Sequence, residues 1–430
     1  MSIAFNPVLL QAIEQLDYRA TVGEVASQAG LELNLAQQGL LTLASEAGGH
    51  LQVSQSGDMV FLFPRNFRTL LRNRYWQLRW REFLNRLGQI IFYLIRISFG
   101  IILVLSIILM MVAIAAILIA LSSRDGDGGG RQGDNNRGGG FFFLPTDIFW
   151  LFSPQPDYSQ RRNQSHQTKE GKGLNFLEAI FSFLFGDGNP NAQHEEKRWQ
   201  YLGNLIRNQG GAIAAEQTLP YLDPLPAAML ANEDYILPVL ARFNGYPQVS
   251  EQGEIIYYFP ELQVSAQQRK RILMPASLPE SSWRFSCASS GQVLGAIALG
   301  AANLILALML GNLLTFDTGL EFITLVSYLY PLLLTYAIGF LVIPLGRYFG
   351  LQWLNQKINH RNQLRQNQAE VLNNPSPALR SKLKFAQNYQ KNQIIGQQDL
   401  VYSTDQDLLE QESERSQNTD QEWQKRLDGL

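Results

Sequence analysis

ISFGIILVLSIILMMVAIAAILIAL, residues 97–121, runs for 25 positions without a charged side chain. A helix needs roughly 20 predominantly apolar residues to cross the hydrocarbon core of a bilayer, so this stretch predicts a membrane span rather than a buried soluble helix. Residues 293–314 and 322–345 follow the same pattern, relieved by isolated polar residues such as Asn303, Asn312, Thr324 and Ser327. The fold class expected is therefore an α-helical membrane protein.

The second and third stretches sit seven residues apart, a spacing that predicts a tight helical hairpin. Their connection carries Asp317 and Glu321 but no Lys or Arg. The outer flanks hold Arg269, Lys270, Arg271 and Arg284 on one side and Arg347, Lys357, Arg361 and Arg365 on the other. Basic residues near short loops stay on the cytoplasmic or stromal side, so the hairpin tip is expected to face away from it.

The first span has a basic preface. Seven arginines and one glutamate, Glu82, lie between residues 65 and 86, with Leu71, Tyr75, Leu78, Phe83, Leu87 and Ile91 at helical spacing. Arg65, Arg68, Arg72, Arg74, Trp76, Arg79, Trp80, Arg81 and Arg86 are the candidate membrane-surface residues, and membrane lipids the partner they imply. An ordinary positive-inside anchor with an aromatic belt reads the same residues equally well.

Outside the spans the chain repeats itself. His50-Leu-Gln-Val-Ser-Gln-Ser-Gly-Asp-Met-Val-Phe-Leu-Phe-Pro64 aligns with Tyr246-Pro-Gln-Val-Ser-Glu-Gln-Gly-Glu-Ile-Ile-Tyr-Tyr-Phe-Pro260, each a β-hairpin pattern turned at glycine. Helices are expected upstream at residues 7–16, 21–29 and 33–47, and again at 197–207, 212–219 and 233–243. Helix, short helix, helix, hairpin is the winged-helix order, so two small α+β winged-helix-like modules are predicted, an internal repeat.

Winged helices often bind DNA, but the charge here opposes it. Residues 1–64 hold one arginine against six carboxylates, and residues 195–262 four basic against nine acidic side chains, a net of −5 each. The third helix of the first module has no Lys or Arg. Nonspecific DNA affinity comes mostly from neutralised phosphates, so nucleic acid is disfavoured and protein docking expected.

The expected division is 1–64, first module; 65–121, basic helix plus span; 122–172, Gly-rich linker and aromatic segment; 173–262, interfacial helix plus second module; 263–350, helical hairpin; and 351–430, polar helix and disordered acidic tail. Six of the twelve residues 141–152 are aromatic. Phe141, Phe142, Phe143, Pro145, Phe149 and Trp150, with Phe181, Phe183 and Phe185 of the next apolar run, are the candidate interfacial or partner-binding residues. Packing against the chain's own module is the plainer alternative. Both modules are expected on one side of the membrane, which needs an even number of crossings between them. A re-entrant first segment kinked near Ser98 and Gly100 would supply it; three crossings with the second module outside would not.

Catalytic and metal motifs do not emerge. Cys287 is the only cysteine, which excludes an intramolecular disulfide and a thiolate cluster built from this chain alone. His50, His166, His194 and His360 lack paired ligands at helical spacing. Asp187, Asn189 and Asn191 mimic the start of a calcium loop, but Ala192 and Arg198 occupy its glycine and closing-glutamate positions. No Gly-x-Ser-x-Gly elbow is present, and the spans hold almost no ionisable groups for a carrier. Neither catalytic residues nor a cofactor is expected. The first thirty residues lack a basic, apolar signal pattern, and Glu14, Asp17 and Glu24 count against an early cleavable transit peptide.

At residues 141–150, at Asn-Phe-Leu-Glu-Ala-Ile-Phe-Ser-Phe-Leu-Phe-Gly-Asp-Gly-Asn-Pro-Asn (175–191) and in the module that follows, the chain resembles a poorly characterised membrane-protein family of cyanobacteria and chloroplasts. Some plant members carry an iron–sulfur cluster biosynthesis label. A single cysteine argues against direct cluster chemistry, which takes several thiolate ligands. What the resemblance implies is a location, the thylakoid or another photosynthetic membrane. The expected role is a noncatalytic scaffold or assembly factor that docks a membrane protein complex, a photosynthetic one by that location. The alternatives are a membrane-tethered regulator binding nucleic acid or transcription proteins, and a small channel or carrier subunit.

Overall fold

The computed structural model describes residues 6–74, 76–124, 174–226, 230, 232–268, 271–316, 319–405 and scattered positions from 407 to 424. The aromatic segment 141–152 lies outside them. The chain divides into two compact units. One gathers Met1–Arg81, Pro190–Ser281 and Lys357–Leu430, the other Glu82–Asn189 and Ser282–Gln356.

In the first unit, α1 (Pro7–Gln15) opens on Asn6, whose side chain accepts from the Val8 amide, with proline at the first helical position. Strand β1 (Arg19–Thr21) leads into α2 (Val22–Ala29), which a reciprocal Thr21–Glu24 capping box starts and left-handed Gly30 stops. Helix α3 (Leu33–Ala47) runs into a hairpin of β2 (His50–Ser54) and β3 (Met59–Leu62). Leu9, Ile13, Leu40, Leu43 and Phe61 are fully buried between them. Helix α4 (Phe67–Arg74) adds Phe67 and Leu71, one turn apart, to the same core. The module therefore continues past the expected boundary at residue 64. Helix α5 (Trp76–Arg124) follows and stays helical through Ser98 and Gly100, where the re-entrant alternative placed its kink. Helix α6 (Phe176–Phe185) belongs to the second unit, not to the module after it.

The second half of the first unit starts with α7 (His194–Asn208) and β4 (Ala212–Ile213). Where a helix was expected over 212–219, Ala212 and Ile213 pair with a strand, and only a 3-10 turn, Ala215–Tyr221, follows. Pro220 inside that turn cannot donate to a longer helical ladder. The expected 233–243 helix divides similarly into a 3-10 turn, Asp234–Ile236, and α8 (Leu237–Phe243), with Pro238 in its first turn. Strands β5 (Tyr246–Val249) and β6 (Ile255–Tyr258) form the hairpin, and β7 (Val264–Ser265) comes after a 3-10 turn at Pro260–Leu262. Leu202, Ile206, Phe243 and Phe259 fill the core.

Helices α2 and α7 pack directly on each other. A Cβ on Gly203 would stand 2.7 Å from Ser27 Cα, and one on Gly23 2.0 Å from the Glu261 carbonyl oxygen, so both sites need glycine for the approach. Polar bonds cross the same seam. The Arg242 guanidinium donates twice to the Gly30 carbonyl, the Thr21 hydroxyl to the Val264 carbonyl, and Arg19 to the Ala266 carbonyl.

In the second unit α5 and α6 join α9 (Ser290–Leu313) and α10 (Glu321–Asn373), the latter continuing into the first unit's share of the chain. Among the described residues, three helical segments are long and apolar enough to cross a membrane: Arg86–Ser123, Ser290–Leu313 and Glu321–Asn373. Small residues bring them close. A Cβ on Gly100 would meet Leu177, and one on Gly300 would stand 2.5 Å from the Phe340 ring. A buried Ser106–Asn303 hydrogen bond of 2.8 Å ties α5 to α9.

The remaining elements return to the first unit. Helix α11 (Pro377–Gln387), capped by Ser376, packs on β6 and β4, and β8 (Gln393–Ile394) pairs in parallel with β7. Strand β9 (Leu400–Ser403) joins β2, completing a four-stranded sheet in the order β1-β3-β2-β9. An acidic tail was expected from residue 399 onward; its first residues instead form a strand, because β2 offers an open edge whose amides and carbonyls they satisfy.

Candidate functional site

The candidate residues fall into separate surroundings. Arg65, Arg68, Trp80 and Arg86 are exposed. Arg68 forms an ion pair with Glu14 at 2.5 Å, so its charge is partly spent within the first module. Arg72, Arg74, Trp76, Arg79 and Arg81 lie on α4 and α5, but their side chains are outside the described set. Phe141, Phe142, Phe143, Pro145, Phe149 and Trp150 are outside it altogether. Phe181 packs edge-on to Phe92 and beside Phe99, and Phe185 remains 45% exposed. Phe183 differs from the expectation: it is 4% exposed, packed between Phe285 and Phe340 at ring separations of 5.8 and 6.0 Å. Its place three residues after Ile180 puts it on the inner face of α6, where it serves the helix packing rather than a partner.

Two polar networks have the residue types of functional sites. The first, in the second unit, centres on Asp187. Its carboxylate accepts from the Ser182 hydroxyl at 2.5 Å, the Cys287 amide at 2.8 Å and Arg96 at 2.8 Å. Burial opposes the charged form of Asp187, but these donors outweigh it and hold the carboxyl below the usual range. The lone Cys287 thiol beside it is pushed up by burial and by that carboxylate, which keeps it protonated and a poor nucleophile or metal ligand. Arg347 stacks on Phe285 at 4.7 Å and donates to the Phe183 and Phe285 carbonyls. Asp187 is thus consumed as a clip at helix ends. Asn191, another residue of the calcium-like run, makes a two-way bond with the Ser281 backbone of the first unit.

The second network lies in the first unit and was not visible in the sequence. His194, Asp223 and Glu280 bring ligand-type atoms within 4.8 Å of one another. Arg365, only 1% exposed, forks between Asp223 at 3.0 Å and Glu280 at 2.7 Å and donates to the Leu222 carbonyl. Arg361 pairs with Glu280, while Arg198 pairs with Asp223 at 2.6 Å and Glu195 at 2.8 Å. Three guanidinium groups thus face three carboxylates. Burial alone would raise the Glu280 carboxyl; hydrogen bonds from Arg361 and Arg365, with their charges, hold it at about 2. Burial, then Arg365, lowers His194, so it is neutral at pH 7. A dication here would meet the guanidinium charges at contact distance, so the donor set suits an ion in type but not in electrostatics. The network clamps α7, the Asp223 loop, the Glu280 loop and the end of α10 together.

Helix α3 carries an open face of amides, hydroxyls and two leucines. Asn34, Leu35, Gln38, Leu41 and Ser45 point outward from α3, with Leu35 39% and Leu41 43% exposed and no basic side chain among them.

No family model matches the chain, and no solved structure matches it. An uncharacterized chloroplastic protein of Arabidopsis thaliana is 38% identical over 437 aligned residues, covering 98% of this chain and 82% of the relative. Identity at that level over nearly the whole length reaches both the module and the membrane-type segments. The chain belongs to the same protein family as this chloroplast relative.

Proposed function

We propose that the chain is a noncatalytic membrane scaffold or assembly factor of the thylakoid, crossing the bilayer through its three apolar helices. In this reading the first unit consists of two acidic winged-helix-like modules that dock a membrane protein complex, a photosynthetic one by location. The observation that carries it is the outward face of α3, the helix that would read DNA in a winged helix. It offers two exposed leucines among amides and hydroxyls, a surface suited to another protein and not to phosphate. The polar networks support the reading because their charged groups are engaged in holding segments together. The chloroplast address of the relative supports the location. Since the two modules share one compact unit, both would stand on the same side of the membrane, the stromal or cytoplasmic side by the basic flanks.

The test is a mild-detergent pull-down of the tagged full-length chain from native membranes, beside the Leu35→Glu/Leu41→Glu variant. Both leucines are exposed, so the variant keeps its fold. Photosynthetic-complex or assembly subunits retained stoichiometrically by the wild type and lost by the variant support the proposal. Equal retention by both proteins, or no retention together with unchanged photosystem levels in a deletion strain, defeats it. A salt-dependent shift of DNA by the purified chain would favour a regulator instead.

A further inference from the structure

A cavity of about 730 Å³ opens in the first unit where α7, the segment after β7 and the segment before β8 meet. Its lining inverts the character of its surroundings. Both modules are acidic, yet among the described lining residues there is no carboxylate, while Arg207, Arg271 and Lys391 bring three positive charges. Arg207 is partly engaged by Glu24, whereas Arg271 and Lys391 are exposed at the rim. The rest of the wall is dominated by side-chain amides, Gln28 and Gln390 among them, with no aromatic ring among the described lining residues.

We propose that this cavity binds a hydroxyl-rich anion: a sugar or polyol bearing a phosphate. Arg271 and Lys391 take the anionic group, with Arg207 behind them. The amides pair with hydroxyls, which donate and accept equally well. The missing aromatic surface disfavours a nucleobase, which binds by stacking. The volume is too large for phosphate alone, since a water takes roughly 30 Å³ of liquid. Either a soluble sugar phosphate or an inositol-phosphate lipid headgroup carries this chemistry.

The experiment titrates the full-length protein in uncharged detergent with glucose 6-phosphate, glucose and inorganic phosphate, and separately with micelles containing phosphatidylinositol. Saturable binding of glucose 6-phosphate or of the phosphatidylinositol micelles is expected, with glucose and phosphate each weaker by about tenfold or more. The Arg271→Glu/Lys391→Glu variant, altered only at exposed positions, should melt like the wild type without probe and bind at least ~30-fold more weakly, each charge-assisted contact being worth roughly a factor of ten. The binding arm names the source. Silence from both polyol phosphates, or binding undiminished in the charge-reversed variant, overturns the proposal.

Discussion

Glu24 of α2 and Arg207 of α7, far apart in sequence but in one compact unit, meet at 3.2 Å with the carboxylate wholly buried. The other carboxylate oxygen accepts from the Thr21 amide at 3.0 Å and the Ala266 amide at 3.1 Å. One side chain therefore caps its own helix, holds the segment after β7 and pairs with α7. Arg207 also donates to Ser265, beside the same seam.

Glu24→Ala removes all of these acceptors, including the carboxylate that pairs with Arg207 beside the cavity wall. Breaking a buried pair from one side costs on the order of 3–5 kcal/mol. The expected outcome is a large drop in melting temperature of the detergent-solubilised chain, with fast amide exchange at Ala266. Glu24→Gln keeps one acceptor and should lose less. A Glu24→Ala protein that melts like the wild type would show that the modules do not depend on this lock.

Acid should loosen the first unit in two steps. The neutral form of His194 is favoured when folded, so its folded value lies below the ordinary 6.5. As pH falls through 6.5 the unfolded chain takes up a proton that the folded chain refuses, and stability declines. Glu280 is held at about 2 against an ordinary 4.5. Its contribution is present above 4.5 and lost as pH falls from there towards 2. Melting temperature measured from neutral to acid pH should show both declines. His194→Gln should remove the upper one, and Glu280→Gln the lower one while lowering His194 further, since Glu280 favours its charged form.

Between the apolar helices, Asn303→Ala should cost about 1 kcal/mol, the usual worth of an interhelical hydrogen bond in an apolar setting. Gly300→Leu should cost more, because even a Cβ there falls 2.5 Å from Phe340. Melting curves of the full-length chain in detergent rank the two. A smaller loss for Gly300→Leu would mean that α9 and α10 separate there freely.

Legibility in the sequence depended on the range of each interaction. The apolar helices were readable because a charge-free apolar run of roughly 20 positions or more is rare outside a membrane span. The two hairpins were readable because Gly57 and Gly253 mark their turns, at φ of 86 and 84. The His194–Asp223–Glu280–Arg365 network was not, since its members come from distant segments and Arg365 stands in the Gln- and Asn-rich end of α10. Nothing local marks an arginine that will be 1% exposed. Phe183 was misplaced for a related reason. Its run, Phe-Ser-Phe-Leu-Phe, is apolar nearly all round, so only the packing of α6 against α5, α9 and α10 decides which ring turns inward.

Strand β9 is the clearest case of structure supplied from far along the chain, and it can be removed. Gln52 opposes Ser403 and Val53 opposes Tyr402, while the Leu51 amide donates to the Thr404 hydroxyl at 2.8 Å. The sequence Leu-Val-Tyr-Ser is too short to announce a strand within a polar tail, yet it covers the open edge of β2. Truncation after Ile395 should keep β8 and uncover that edge. Amides in His50–Ser54 that face β9 should then exchange faster, and the shortened chain should aggregate on concentration, as uncovered edges template pairing. Exchange protection at Leu51 and Val53 unchanged by the truncation would mean that β9 leaves β2 readily in the intact chain and that the first module closes its sheet without it.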